Sequence, residues 1–264
     1  MTETAKSGRL DLAVVMPVYN EAACIADVIQ SWLRMLEAES LRFSLIVLND
    51  GSTDATKDAL APFAGDSRVD LIDKQNSGHG PTILVGYRRA VGMADWVFQV
   101  DSDDELAATE FPAMWRARPQ FDAVIGVRDG RRQPVGRWII TRLSRVLVRL
   151  WYGGTVKDVN VPFRLMRADV LSSFVTRIPA DTFAPNVVIS GVLAGSQYRV
   201  ANVPVTHRDR RTGQVSIMRW KLWKGALRSA VQTIRCRSLV SIRSSRAAHG
   251  TPADEWAPTA PDKS

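Results

Sequence analysis

Short apolar runs recur along this chain, separated by amphipathic stretches, and that alternation admits few architectures. Strand-length runs fall at Leu12 to Met16, Phe43 to Leu48, Val69 to Ile72, Trp96 to Val100 and Ala123 to Val127, with shorter ones near Val161 to Met166 and Tyr198 to Val203. Between the first two, Ile25, Val28, Ile29, Trp32, Met35 and Leu36 recur at helical spacing, and Asn20 stands where it can cap that helix. Further helices are expected near 54–61, 80–92, 106–118, 137–151, 168–175, 186–194 and 217–237. The pattern predicts a single α/β domain built on a mostly parallel, Rossmann-like sheet with helices on both faces.

Composition narrows the class. A hydrophobic fraction of 45% with 23% charged residues in 264 residues is that of an ordinary globular chain with a large core. Cys24 and Cys236 are too far apart in sequence for a zinc-type spacing, so neither a disulfide framework nor a zinc site is expected and a reducing compartment fits. The opening MTETAKSGRLD has no apolar core of signal-peptide length, and no run approaches a membrane span.

In open parallel sheets, ligands bind beyond the carboxyl ends of the strands. Three polar clusters stand at such ends here: PVYNE (Pro17 to Glu21), NDGSTD (Asn49 to Asp54) and DSDDE (Asp101 to Glu105). The first two also fit plain strand-to-helix turns, with Gly51 supplying backbone freedom and Ser52 or Thr53 capping a helix. DSDDE fits a solvated acidic turn less well, because its acids begin abruptly where a core strand ends. An EF-hand starting at Asp101 fails, since its sixth and twelfth positions hold Leu106 and Pro112. A dinucleotide fingerprint fails too, because Gly78-His79-Gly80-Pro81-Thr82-Ile83 lacks the third glycine. Two carboxylates one residue apart on a strand-end turn can face one cation, and an oxygen-rich site of that kind suits Mg²⁺ or Mn²⁺ shared with a diphosphate.

The series VVMPVYNEAACI, LNDGSTDAT, NSGHGPTILVGYRRA, WVFQVDSDDE, DVNVPFRLMRADVL and VPVTHRDRRTGQVS, running in order from about residue 11 to 235, resembles family 2 glycosyltransferases of the glycosyltransferase-A fold. Within them it is most similar to polyprenyl-phosphate sugar transferases of the dolichyl-phosphate mannose synthase type. The resemblance implies an inverting transferase that moves a sugar from a GDP- or UDP-sugar to a polyprenyl phosphate, with Mg²⁺ or Mn²⁺, at the cytoplasmic face of a membrane. It also implies roles for particular residues. Pro17, Tyr19 and Glu21 match the segment lining the nucleotide, and Asp50 matches the acid that contacts the base. Asp101 and Asp103 match the metal-binding Asp-x-Asp pair, and Glu105 falls where some relatives use a third ligand. Arg128 follows Gly126 in a Gly-x-Arg element, Arg131 and Arg132 lie on the loop expected to face phosphate, and Arg164 and Arg210 match later basic positions. Gly78 and His79 fall in a block near the nucleotide, although a single His in a glycine-rich turn is more often a structural hydrogen-bonder; His207 opens the basic block and reads as a phosphate contact or a structural residue.

One departure bears on the acceptor. Relatives that glycosylate a hydroxyl carry a carboxylate base in the segment matching DTFAPNVVIS, where this chain has Asn186. A phosphate monoester, with a second pKa of about 6, needs no such base at neutral pH. Asp181 and Asp158 stay open as alternative bases, so a hydroxyl acceptor on a soluble or cell-envelope glycan remains the second reading.

The net charge of +8 is concentrated near the end of the chain. From His207 to Arg246 eleven Lys or Arg face one acid, while residues 1–206 are net neutral. Trp220, Trp223, Leu227, Val231 and Ile234 share one helical face there, with Arg219, Lys221, Lys224, Arg228 and Arg235 on others, which is the make-up of an interfacial helix or of a packed helix with a solvated side. The stretch from Trp138 to Trp151, with Arg142, Arg145 and Arg149, reads as a second such element. An anionic membrane surface is therefore an expected partner, a membrane protein partner is compatible with the chain, and nucleic acid is not expected. A basic nucleic-acid-binding or membrane-binding protein with an idle domain is the remote alternative, since basic residues alone do not call for three strand-end clusters. The expected organisation is a flexible N-terminus over 1–10, a catalytic domain over 11–206, a basic acceptor- or membrane-facing segment over 207–246 and a disordered tail over 247–264.

Overall fold

Each apolar run becomes a strand of one sheet. The computed structural model describes residues 8–129, 135–153, 156–196, 198–208 and 219–240, so the expected flexible N-terminus and disordered tail lie largely outside the described residues, as do Arg131, Arg132 and Arg210. The strands are β1 (Leu10–Val18), β2 (Phe43–Asp50), β3 (Val69–Lys74), β4 (Ala94–Val100), β5 (Ala123–Asp129), β6 (Phe163–Arg167) and β7 (Val200–Thr206), and they lie in the order β3-β2-β1-β4-β6-β5-β7. Neighbours pair in parallel except where β6 enters, antiparallel to both β4 and β5. The sheet is thus mixed by one strand, and β4, β5 and β7 still finish on the same edge as β1 and β2.

The helices are α1 (Ile25–Ala38), α2 (Thr56–Leu60), α3 (His79–Met93), α4 (Phe111–Ala117), α5 (Val135–Tyr152), α6 (Ala168–Val175), α7 (Pro185–Gly195) and α8 (Arg219–Arg235). All eight overlap the expected helices. The expected cap is corrected: α1 begins after Cys24, and Asn20 adopts a left-handed backbone, φ 54°, that turns it toward the loop after β2. Ser52 and Thr53 likewise do not cap α2, whose first turn is held by Asp54 accepting from the Thr56 N–H at 3.0 Å.

Alternation along β4 separates two faces. Phe98 points toward α1 and α4, where it meets Trp32 at 5.4 Å, Phe111 at 5.1 Å and Phe163 of β6 at 4.8 Å between ring centroids. All four rings are almost wholly buried, and each contributes about 1.5–3 kcal/mol by leaving water. Gln99 points to the opposite face, under α3 and α7. There α3 lies close against the sheet at Gly86, where a Cβ would collide with Val15 and stand 3.0 Å from Leu48 Cδ1.

That contact yields a paired prediction. Gly86→Ala gains about 1 kcal/mol of helix propensity but overpacks the sheet at a cost of about 1–3 kcal/mol, so a net loss is expected in urea denaturation. Gly92→Ala in the same helix meets nothing within 4 Å and is expected to be neutral or stabilising by up to about 1 kcal/mol. Equal effects at the two glycines would contradict the packing account.

Candidate active site

The strand order brings the polar clusters to one edge, and side chains then tie them together. Asn20 donates its backbone N–H to Ser52 Oγ at 3.0 Å, and its Oδ1 accepts the Thr53 N–H at 2.8 Å, so the loop after β1 is stitched to the loop after β2. Gly51, φ 65°, is required there because a Cβ would stand 2.7 Å from the Asn76 backbone nitrogen. Glu21 is buried and donates its N–H to Thr56 Oγ1 at 2.9 Å. Pro17 is also buried within β1, so of the three expected nucleotide-lining residues Tyr19, 42% exposed, presents the open surface.

Asp50 organises the next turn. Its Oδ1 accepts the Ser77 N–H and its Oδ2 the Gly78 N–H, each at 2.9 Å, and Lys74 pairs with it. Burial pushes its pKa up, but Lys74 and the hydrogen bonds from Ser77 and Thr82 outweigh burial and hold it below the ordinary 3.8. With both oxygens engaged, Asp50 fixes the Gln75–Gly78 turn that leads into α3. The turn delivers His79 to the start of α3, where its Nε2 lies 3.5 Å from Asp101 Oδ1.

The acids after β4 are each held differently. Asp101 Oδ1 accepts from Gln99 Nε2 at 2.9 Å. Asp103 Oδ1 accepts the Glu105 N–H at 3.2 Å, and the turn passes through Asp104 in a left-handed conformation, φ 56°. Glu105 does not join them: its Oε2 lies 3.1 Å from His207 Nε2, and its carbonyl accepts the Arg208 N–H at 2.9 Å, which fastens the chain after β7 to this loop. Among the described residues no three His, Cys, Asp or Glu gather as a ready metal cluster. Of the three expected carboxylates, Glu105 is turned toward His207 rather than toward Asp101 and Asp103.

The arginines divide in the same way. Arg128, at the end of β5, makes a two-pronged pair with Asp158, Nε to Oδ2 at 2.8 Å and Nη2 to Oδ1 at 3.0 Å, with both side chains 8% exposed. Burial raises the Asp158 pKa, but the hydrogen bonds and charge of Arg128 outweigh it and leave the carboxyl below 3.8. Arg164 is 0% exposed and donates to the carbonyls of Val161 and Asn186 and to Ser190 Oγ at 2.8–3.3 Å. The expected substrate contact from Arg164 is therefore corrected: its guanidinium braces β6 against α7 beneath the site. Asn186 is also buried, with its side chain between Gln99 and Tyr87.

Gln99, Tyr87 and the Arg128–Asp158 pairing escaped sequence reasoning. One signal was present: Gln99 interrupts the apolar strand WVFQV, as Arg164 interrupts PFRLM, and Asn186 and Ser190 stand four apart on an otherwise apolar helix.

Residues 13–174 match the family described as glycosyl transferase family 2, and the chain belongs to that family. Curated relatives include an undecaprenyl-phosphate 4-deoxy-4-formamido-L-arabinose transferase of Pseudomonas paraeruginosa, 27% identical over 77% of this chain and 59% of its own length, and one of Salmonella choleraesuis, 25% identical over 76% and 61%. The chain thus spans about three fifths of the length of these relatives. Among solved structures, glucosyl-3-phosphoglycerate synthase from Mycobacterium tuberculosis in complex with phosphoglyceric acid aligns with a TM-score of 0.62 at 20% identity, covering 89% of this chain and 82% of that one. The same enzyme in complex with Mn²⁺, uridine diphosphate and glucosyl-3-phosphoglycerate aligns with a TM-score of 0.60 at 21% identity over the same shares. At these identities the structures establish the shared fold.

The buried ion pair generates a prediction with a defined pH sign. Asp158→Asn leaves the Arg128 guanidinium buried without its partner and is expected to cost about 3–5 kcal/mol in urea denaturation at pH 7. Because folding lowers the Asp158 pKa, the pair's contribution is full above about pH 4 and is lost as pH falls through the folded value. The deficit of the variant should therefore narrow below about pH 4; an equal deficit at pH 7 and pH 3 would contradict the assignment.

Proposed function

We propose that this chain is an inverting transferase that moves a sugar from a nucleotide diphosphate sugar, with GDP or UDP as carrier, to a polyprenyl phosphate at the cytoplasmic surface of a membrane. The observation that carries the reading is the surface of α5 and α8, adjoining helices whose outward faces are apolar beside a row of cations. On α5, Leu143, Val146, Leu150 and Trp151 are exposed, Leu150 at 74%, alongside exposed Arg142, Arg145 and Arg149. On α8, Leu227, at 69%, Val231 and Ile234 are exposed alongside Lys224, Arg228 and Arg235. The side chains of Trp138, Trp220 and Trp223 lie outside the described residues. Among the described residues no helix is long and apolar enough to cross a membrane. Apolar groups that enter the headgroup boundary beside cations that meet anionic lipid are what surface docking requires, and each basic residue near that surface contributes about 1 kcal/mol. The names of the curated relatives, which carry undecaprenyl phosphate, support the acceptor class.

The donor set supports a divalent cation. Asp101 and Asp103 supply hard oxygen ligands, and a cation held by one or two carboxylates completes its shell with substrate phosphates and water. Asp101 and Asp103 would hold Mg²⁺ or Mn²⁺, which would supply positive charge against the departing diphosphate. The nearness of His79 Nε2 to Asp101 Oδ1, 3.5 Å, supports giving His79 a role at the same phosphates. Arg131, Arg132 and Arg210 remain proposed phosphate contacts on sequence grounds.

The acceptor chemistry follows from what the carboxylates are doing. Asn186 is buried and uncharged, Asp158 is held low by Arg128, and Asp181 pairs with Arg228 of α8 at 2.6 Å. No position named as a base offers a poised carboxylate, which favours an acceptor that is already a nucleophile. A phosphate monoester attacks the anomeric carbon through its own oxygen as the nucleotide diphosphate departs.

Purified protein with Mn²⁺ or Mg²⁺ is expected to convert labelled GDP- or UDP-sugar into an organic-extractable lipid product with polyprenyl phosphate, and Asp103→Asn to lose most of that turnover. Transfer only to a hydroxyl acceptor would move the function to soluble or envelope glycans, and unchanged turnover in Asp103→Asn would remove the metal assignment. Separately, co-sedimentation should occur with phosphatidylglycerol vesicles, weaken with salt, and fall in Leu227→Asp; equal binding by the variant would contradict surface docking through α8.

A further inference from the structure

The face of the sheet beneath α7 contains a polar line in an otherwise apolar interior. Tyr87 of α3 donates its hydroxyl hydrogen to Asn186 Oδ1 at 3.2 Å, Asn186 Nδ2 donates to Gln99 Oε1 at 3.0 Å, and Gln99 Nε2 donates to Asp101 Oδ1 at 2.9 Å. Gln99 and Tyr87 are 0% exposed and Asn186 3%. Beside them, Arg164 faces Gln99 across the β4–β6 pairing and donates to the Asn186 carbonyl at 3.1 Å, so the backbone that carries Asn186 is fixed as well.

The direction of every donor in this line is forced. A carboxylate only accepts, so Gln99 must present its NH₂ to Asp101 and its carbonyl inward. Asn186 must then present its own NH₂ to that carbonyl, which leaves its oxygen for the Tyr87 hydroxyl. Each amide has one orientation that satisfies both neighbours, and burial makes the other orientation costly because it leaves groups of like polarity facing each other away from water.

We propose that Tyr87, Asn186 and Gln99 form a positioning relay that holds the Asp101 carboxylate in the orientation that receives the metal–nucleotide complex. The proposal rests on the reading of Asp101 and Asp103 as metal ligands, and it gives Asn186 a role other than facing the acceptor. Partners that orient a metal ligand typically matter to metal affinity by about 10- to 100-fold. The relay also explains why a glutamine interrupts an apolar strand two residues before Asp101: that is the spacing that returns a side chain to the same face.

The test is an exchange of one group. Ionised, Asn186→Asp replaces the inward NH₂ by an oxygen at nearly constant volume and turns Gln99 over to present its carbonyl to Asp101; protonated, it still donates to Gln99, so Gln99→Met decides the test. Free Mn²⁺ is followed by electron paramagnetic resonance as it is titrated into full-length protein with UDP and, separately, with GDP. The relay predicts that Asn186→Asp weakens Mn²⁺–nucleotide binding by about 10- to 100-fold while circular dichroism shows a folded chain. Gln99→Met, which removes the donor to Asp101, should show the same loss, and it carries the test if the aspartate variant does not fold. Wild-type binding by a folded Gln99→Met, with binding lost in Asp101→Asn, would overturn the relay and leave the metal pair standing. Wild-type binding in both Asp101→Asn and Asp103→Asn would overturn the metal reading itself. Gain of transfer to a hydroxyl acceptor in Asn186→Asp would overturn the relay by making the position a base site.

Discussion

Carboxylates crowded at the end of a buried sheet must each find a compensating partner, and the rest of the site is arranged around that requirement. Asp50 takes Lys74 and two backbone N–H groups, Asp158 takes Arg128, Glu105 takes His207, and Asp101 takes Gln99 with His79 nearby. Most of these partners come from different elements, so satisfying the charges also fixes how the loops after β2, β3, β4 and β7 sit together. A diphosphate-bound cation shared by Asp101 and Asp103 is the proposed further member of this set.

A second consequence concerns the interior. A helix that is apolar nearly all round is expected to bury itself in the core, and α7 does so, but Asn186 and Ser190 on one side of it require hydrogen-bonding partners. Gln99 and Arg164, neighbours in register on β4 and β6, supply them. The polar interior is complementary across two elements distant in sequence, and it ends at the site edge. The segment before α7 continues outward: the Phe183 N–H donates to Gln232 of α8 at 2.9 Å, and Gly225 of α8 lies where a Cβ would strike the Phe183 ring. The basic helices and the strand-end acids are therefore parts of one connected framework.

Much of this was legible before any coordinates. The apolar runs located all seven strands because burial on both faces leaves little room for polar residues. The three clusters at strand ends were legible because a parallel sheet gathers its carboxyl ends on one edge. The antiparallel entry of β6 between β4 and β5 was not, since a strand of five residues carries no mark of its direction. Nor was the burial of Arg164: an arginine reads as a surface cation unless its partners are known, and here they are carbonyls and a serine hydroxyl brought from α7 and the approach to β6. Asn20 misled for a similar reason, because capping and loop-stitching both use a short polar side chain that tolerates a left-handed backbone.

The central claim is that this edge binds a nucleotide diphosphate through a cation held by Asp101 and Asp103. Thermal unfolding of the full chain, scanned with UDP or GDP and with or without Mn²⁺, tests it most directly, because a ligand that binds only the folded state raises the melting temperature. A rise when nucleotide and Mn²⁺ are present together, and little or none with either alone, is the predicted result. An equal rise with nucleotide in the presence of a chelator, or none under any condition, would contradict it.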